Sequence, residues 1–156
     1  MAIIRGGAVF DGARFFKRDI YIDGERIAAA PPDTEVIDAS GCYVISGLVD
    51  IHFHGAAGAD ISDGDLEGLH KMAAYEASRG VTAICPATMT LPFEVLMEAA
   101  RSAASFVPAD NEAALVGINM EGPYISPDKV GAQNPDYVRA ANADEFRQLR
   151  EASGGL

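Results

Sequence analysis

Residues 47 to 55, Gly-Leu-Val-Asp-Ile-His-Phe-His-Gly, form the segment that is most informative about the architecture of this chain. This nearly continuous apolar run is typical of a strand that is buried on both faces of a parallel sheet. Two similar runs, VTAICPAT and ALVGINME, follow, and the three runs begin near Leu48, Val81 and Leu115. Because the starts are 33 and 34 residues apart, each strand leaves room for one helix before the next, as βα units with right-handed crossovers require.

A helical segment follows each of the three apolar runs. In SDGDLEGLHKMAAYEASRG, we expect Ser62 or Asp63 to cap the helix and Gly80 to end it in the left-handed conformation. In PFEVLMEAARSAASF, Pro92 suits the first helical position. In NADEFRQLREA, Asn142 is expected to cap the helix. The alternation of strands and helices predicts an α/β fold.

Residues 1–46 have a different pattern, in which short apolar runs are separated by turn residues. Asp11-Gly12 and Asp23-Gly24 are dipeptides that favour tight hairpin turns. We therefore predict small antiparallel strands over residues 1–46 and three βα units over residues 47–156. Three units neither close a barrel nor fill an open sheet, and a (β/α)8 barrel needs about 200 residues or more. We expect this chain to be the front part of a longer fold.

Charge and composition argue against several classes of function. The chain has 156 residues with 12 basic and 23 acidic side chains, so its net charge of −11 would repel nucleic acids and anionic lipids. The N-terminus lacks the pattern of a signal peptide, and no apolar stretch approaches the roughly 20 residues that span a bilayer. Cys42 and Cys85 are too few for a disulfide framework, and we expect two buried, reduced thiols in a cytoplasmic protein.

Two of the three histidines stand at the end of the first apolar run. In a strand, His52 and His54 would share one face, at the carboxyl end where such folds place active sites. Imidazole is a good ligand for zinc, iron or nickel. Glu121 ends the third apolar run, on the same rim of a parallel barrel. We predict that His52, His54 and Glu121 bind a divalent metal. The alternatives are core or surface histidines bonded to backbone, and a glutamate that turns to solvent or caps a following turn.

Three further features have roles that the residues alone leave open. Asp50 is either an acceptor for a histidine N–H or a carboxylate bonded to backbone donors. His70 lies within the first helix, and we interpret it as an ordinary helix residue. The loop EGPYISPDKVGAQNP is long for a βα connection. In it, Ala132, Gln133 and Asn134 are candidates to offer backbone N–H and amide groups to a polar ligand; the alternative is an ordered surface loop.

The start GLVDIHFHG, the Thr88-x-Thr90 pair and the segment NMEGPYISPDKVGAQNP resemble the N-acetylglucosamine-6-phosphate deacetylases of the amidohydrolase superfamily. The resemblance covers the whole chain and implies a metal-dependent (β/α)8 barrel beside a small β-sandwich, to which residues 1–46 would belong. It implies hydrolysis of the acetamide of N-acetylglucosamine 6-phosphate to glucosamine 6-phosphate and acetate. By this resemblance, Glu121 binds the catalytic metal, and His52 and His54 bind a further ion. Ala132 and Gln133 would contact the sugar phosphate, although many relatives carry histidine at the position of Gln133.

The resemblance also implies groups that this sequence does not contain. The family uses two further histidines as metal ligands and a late aspartate as general base and acid, but after His70 this chain has no histidine. We therefore predict that the full-length enzyme uses one or two divalent ions, zinc or iron, and that this piece alone is inactive. We also expect homo-oligomers, because the third strand would leave an unpaired edge. The alternatives are another amidohydrolase, dihydroorotase-like or hydantoinase-like, and a non-catalytic module.

Overall fold

A computed structural model describes residues 1–29 and 35–156 of the chain. It divides into two compact units, Met1–Ser46 and Gly47–Leu156. Residues 30–34, which fall within the predicted strand-rich segment, lie outside the described residues. Within the described residues, strands occur in both units and the helices lie in the second, so the α/β class predicted from the sequence is confirmed at this level.

The described residues of the first unit form short strands arranged in two sheets. Its strands are β1 Ala2–Arg5, β2 Ala8–Phe10, β3 Phe15–Lys17, β4 Ile20–Asp23, β5 Arg26–Ala28, β6 Glu35–Asp38 and β7 Tyr43–Val44. The sheet orders are β5-β4-β1-β6 and β3-β2-β7. Asp23 pairs with Arg26 across an antiparallel turn, and β2 pairs antiparallel with β3. Both hairpins that the Asp-Gly dipeptides predict are therefore confirmed.

The prediction that this unit contains only antiparallel strands was wrong. β6 pairs parallel with β1, and β7 pairs parallel with β2. A turn signal reports only the pairing of strands that are neighbours in sequence, whereas a parallel pair needs a long connection between its strands. The intervening hairpins supply that connection, and no local motif marks its end point.

The second unit contains a parallel sheet in the order β13-β11-β8. Its strands are β8 Leu48–Asp50, β9 Gly55–Ala56, β10 Ala59–Asp60, β11 Val81–Ile84, β12 Ala87–Thr88, β13 Ala114–Leu115 and β14 Asn119–Met120. β11 pairs parallel with both β8 and β13, β12 pairs parallel with β14, and β9 pairs antiparallel with β10. The predicted parallel arrangement of the three apolar runs is confirmed, and over the described residues these strands do not close into a barrel.

Each predicted strand of this unit is shorter or more broken than expected. The second run separates into β11 and β12 at Cys85 and Pro86, and the third separates into β13 and β14 around Gly117. Proline has no N–H to donate, and a Cβ on Gly117 would lie 3.2 Å from the Cys85 Sγ. Hydrogen bonds between neighbouring backbones nevertheless continue across the breaks. For example, the Ala87 N–H donates to the Phe53 oxygen at 2.7 Å. The segment after β8 therefore stays beside β12.

Three α-helices lie within the described residues: α1 Leu66–Ser78, α2 Phe93–Ser105 and α3 Ala143–Ala152. Short 3₁₀ turns occur at Ile61–Asp63, Pro127–Lys129 and Pro135–Tyr137. Asn142 caps α3 by accepting from two backbone N–H groups, and Gly80 follows α1 with a φ of +86°, so both of these predictions are confirmed. No helix in the described ranges is long and apolar enough to cross a membrane.

The predicted starts of α1 and α2 were each displaced. Asp65, not Ser62 or Asp63, caps α1, since its carboxylate accepts from the N–H groups of the first turn. Ser62 and Asp63 lie instead in a separate 3₁₀ turn, which Asp60 caps. Pro92 precedes α2 as its N-cap rather than occupying the first helical position, and it makes no side-chain capping bond. Several residues able to cap a helix lie close together before α1, and the conformation of the folded backbone determines which of them does so.

The core of the second unit lies between the helices and the parallel strands. Leu69, Met72 and Ala73 of α1 are buried, and Met72 and Ala73 are fully inaccessible. Ala73 clusters with Ile84 of β11, Leu69 and Met72 cluster with Ile61, and the half-buried Phe53 packs against both clusters. Burying one large apolar side chain stabilises the fold by about 1.5–3 kcal/mol. This packing therefore anchors the strands whose carboxyl ends carry the candidate site.

Candidate metal centre

Backbone alternation places two histidines on one side of the segment after β8. Phe53 points into the core, so its neighbours His52 and His54 are directed away from it, as extended backbone requires. Glu121 directly follows β14, whose parallel partner β12 lies beside the histidine segment. The three side chains therefore come from the carboxyl ends of neighbouring strands.

The three side chains converge on one oxygen atom. The Nε2 atoms of His52 and His54 lie 3.3 Å and 3.1 Å from the Glu121 Oε2. Two ligand atoms that bind one zinc ion tetrahedrally at about 2.0–2.1 Å lie about 3.3 Å apart. The observed spacing is therefore that of ligands able to share one ion, and a negative carboxylate beside two imidazoles suits a cation.

The surroundings of the same carboxylate oxygen agree with this conclusion. Its Oε2 is buried and has no hydrogen-bond partner among the described residues, although the side chain as a whole is 37% exposed. A buried polar atom without a partner costs about 1–3 kcal/mol. A cation at this point would remove that cost, so the residues present fit a divalent metal ion.

Groups behind the histidines hold the two imidazole rings. His54 Nδ1 lies 2.8 Å from the Ala87 carbonyl oxygen. A carbonyl only accepts, so Nδ1 carries the proton, and in the neutral ring the Nε2 lone pair is directed toward Glu121. Asn119 Nδ2 donates to the Ile51 oxygen at 3.0 Å and lies 3.2 Å from His52 Nδ1. Ala87 therefore fixes the orientation of the His54 ring, and Asn119 lies against the His52 ring.

Sequence reasoning missed Asn119, the Ala87 carbonyl and Thr90 as supports of this site. A signal for Asn119 was available, because it lies two residues before Glu121 and therefore on the same strand face. No sequence signal identifies Ala87, because its contribution is a backbone oxygen. Thr90 donates from Oγ1 to the Glu121 carbonyl oxygen at 3.2 Å, a contact that depends on the pairing of β12 with β14.

Two polar residues considered from the sequence are not members of the cluster. Asp50 Oδ1 accepts from the His52 backbone N–H at 3.0 Å, so of its two interpretations the structure gives the backbone-bonded one. His70 lies on α1, as expected, and its Nδ1 is 2.9 Å from Glu112 Oε2. Burial raises the pKa of Glu112, but the Ala109 N–H and the His70 ring lower it more, so its pKa lies below the ordinary value.

The two loop residues predicted to contact substrate have different environments. Ala132 is exposed, whereas Gln133 is buried at 7% exposure. Gln133 Oε1 accepts from the Thr90 N–H at 2.6 Å, and its Nε2 lies 3.7 Å from the Met89 sulfur. The amide oxygen of Gln133 is thus already bonded within the protein.

Known proteins similar to this chain were found by sequence, although no protein-family model matches it. The chain is 32% identical over 119 residues to the N-acetylglucosamine-6-phosphate deacetylase of Lysinibacillus sphaericus, covering 76% of this chain and 31% of that protein. It is 31% identical over 128 residues to the N-acetylgalactosamine-6-phosphate deacetylase of Escherichia coli O157:H7, covering 81% and 34%. The chain therefore spans about a third of the length of these curated relatives.

Comparison with solved structures agrees with the comparison of sequences. The crystal structure of N-acetyl-D-glucosamine-6-phosphate deacetylase from Mycobacterium smegmatis superposes with a TM-score of 0.82 and 25% identity, covering 99% of this chain and 45% of that one. The resemblance recognised in the sequence motifs is thereby confirmed over nearly the whole chain. In sequence and in fold, this chain is related to the N-acetylglucosamine-6-phosphate deacetylases and corresponds to their N-terminal portion.

Proposed function

We propose that this chain supplies the first part of the active site of a metal-dependent deacetylase. The full-length enzyme would hydrolyse the acetamide of N-acetylglucosamine 6-phosphate to glucosamine 6-phosphate and acetate. The observation that carries the proposal is the convergence of His52, His54 and Glu121 at neighbouring strand ends. Relatives named for two epimeric sugars make N-acetylgalactosamine 6-phosphate the alternative substrate.

The proposed metal ligands are His52, His54 and Glu121. Imidazole nitrogen and carboxylate oxygen are ligands that zinc and iron both accept, so we propose zinc or iron, with one or two ions in the full-length enzyme. When bound, such an ion lowers the pKa of water and polarises an amide carbonyl. Ala87 holds the His54 Nε2 toward Glu121, and Thr90 holds the backbone that carries Glu121.

The parallel strands and the loop after Glu121 complete the proposal. We propose that residues 47–156 belong to a (β/α)8 barrel and residues 1–46 to a β-sandwich; the parallel pairing of β11 with β8 and β13, and the sheets among the described residues of the first unit, support this. We propose that the loop meets the sugar phosphate at Ala132, which is exposed. Gln133 could offer the substrate only its amide N–H, because Oε1 accepts from Thr90.

We further propose that the 156-residue chain is inactive alone and that it self-associates. The cluster has three ligands, and the late histidines and aspartate that the family resemblance implies are not in this sequence. On β8, Val49 is 58% exposed, and Ile51 beyond it is 67% exposed, which favours association. Cys42 is exposed and Cys85 is half-buried, so the expectation of two buried thiols was wrong. Both thiols are unpaired, which suits a reducing compartment, and we propose the cytoplasm.

Metal analysis and an activity assay test the proposal together. The purified chain should retain about one zinc or iron per chain above a buffer blank, and the His54→Ala variant should lose it. Acetate release from the acetylated sugar phosphates should be absent with the chain alone and present with a longer protein that includes it. Hydrolysis of a cyclic imide instead would favour a hydantoinase-like enzyme, and a chain that binds no metal would favour a non-catalytic module.

A further inference from the structure

The side chain of Gln133 is buried and hydrogen-bonded within the protein. It is 7% exposed and comes from the loop after Glu121, 43 residues beyond Thr90 in sequence. The Thr90 N–H donates to its Oε1 at 2.6 Å, and its own backbone N–H donates to the Val130 oxygen at 3.1 Å. Because an N–H can be paired only with an acceptor, the atom facing Thr90 is the amide oxygen. The bond thus ties the loop to the segment after β12.

The same threonine contacts the backbone of the candidate metal ligand. Thr90 is 1% exposed, and its Oγ1 donates to the Glu121 carbonyl oxygen at 3.2 Å. The next residue, Gly122, has a φ of +95°, and a Cβ there would lie 2.0 Å from the Thr90 Oγ1. Thr90 therefore packs directly against the backbone of Glu121 and Gly122, so a shift of Thr90 would displace that backbone.

We propose that Gln133 is a positioning residue that acts through Thr90 to hold Glu121 in place for the metal ion. This inference rests on the proposed function, since it takes Glu121 to be a metal ligand. It differs from a substrate contact, because the amide oxygen of Gln133 is used within the protein. The connected groups are Gln133 Oε1, the Thr90 N–H and hydroxyl, and the Glu121 carbonyl.

Zinc affinity of the purified chain, measured by competition with a chromophoric chelator, tests this role. Gln133→Met keeps the side-chain volume and removes the acceptor, and it should weaken zinc binding about tenfold, as loss of a supporting hydrogen bond commonly does. Gln133→Glu keeps an acceptor for the Thr90 N–H and should bind zinc within about threefold of the unchanged chain. Thr90→Val should weaken binding similarly, whereas Thr90→Ser, which retains the hydroxyl, should not.

The double variant distinguishes positioning from a general loss of structure. If Gln133 acts through Thr90, Gln133→Met combined with Thr90→Val should weaken zinc binding no more than the stronger single change. A fully additive loss, or single variants that bind zinc like the unchanged chain, would overturn the proposal. If Gln133→Met does not fold, the Thr90→Val and Thr90→Ser pair decides, and equal affinities for these two would overturn it. An unchanged chain that binds no zinc would instead refute the proposed function.

Discussion

Glu121→Gln should change the stability of the chain in opposite directions without and with metal. In the metal-free chain, Glu121 Oε2 is buried without a hydrogen-bond partner. An amide NH₂ in its place can donate to His54 Nε2, which is free to accept because Nδ1 is bonded to Ala87. The metal-free variant should therefore be more stable than the unchanged chain.

The size of each effect follows from the site. Replacing the unpaired oxygen with a hydrogen-bonded amide should raise the free energy of unfolding by about 1 kcal/mol. This is the low end of the usual range, because the Glu121 side chain is 37% exposed. Zinc at about 100 times its dissociation constant should stabilise the unchanged chain by about 2.7 kcal/mol. If loss of the ligand weakens binding about 100-fold, the upper end of what loss of a group that merely supports a ligand costs, the same zinc concentration should stabilise the variant by about 0.4 kcal/mol.

The assay is urea unfolding followed by circular dichroism, with chelator and then with buffered zinc. Glu112→Gln is the matched control, because Glu112 also places a carboxylate oxygen against an imidazole nitrogen, that of His70, but lies outside the cluster. Its Oε2 accepts from the Ala109 N–H at 2.9 Å, so the control should lose about 1–2 kcal/mol without metal. Its stabilisation by zinc should remain that of the unchanged chain.

Two results would refute this reasoning about the site. One is a Glu121→Gln chain that is clearly less stable than the unchanged chain in chelator, which would mean that the carboxylate is already satisfied. The other is equal stabilisation by zinc of the unchanged chain and Glu121→Gln. In that case the ion binds without this carboxylate, and the three side chains do not act as one ligand set.

Three further outcomes follow from local structure. The pKa of Glu112 is lower in the folded chain than its unfolded value near 4.3. The ionised Glu112 should therefore stabilise the fold fully above about pH 4.3, and this stabilisation should vanish as the pH falls through the pKa of the folded chain. The free energies of unfolding of the unchanged chain and of Glu112→Gln should therefore become equal in acid. Gly122→Ala should cost more than about 2 kcal/mol in urea unfolding, from positive φ and contact with Thr90. Gly131→Ala, at a φ of +62° with open space around its Cβ, should cost only about 1 kcal/mol. Met72→Ala should lower the free energy of unfolding by about 2–5 kcal/mol, because Met72 is fully buried; a loss below 1 kcal/mol would contradict the described core.

The fold could be predicted where local patterns govern it. The apolar runs at 33- and 34-residue spacing predicted parallel strands with intervening helices, and Asn142 predicted the start of α3. The predictions failed where pairing joins distant segments, as with the parallel partners of β1 and β2. They also failed where neighbouring residues compete for one role, as when Asp65 rather than Ser62 caps α1.

The chemical groups and the local elements that carry them can be read from the amino acids alone: two imidazoles after one strand and a carboxylate after another. The folded arrangement was needed to show that Glu121 reaches both histidines, that Ala87 fixes the His54 tautomer, and that Gln133 turns inward to Thr90. The two kinds of information differ in how far along the chain they act. Strand and helix preferences act over a few residues, whereas these contacts depend on how parallel strands far apart in sequence align, and one residue of slip would turn each side chain to the opposite face.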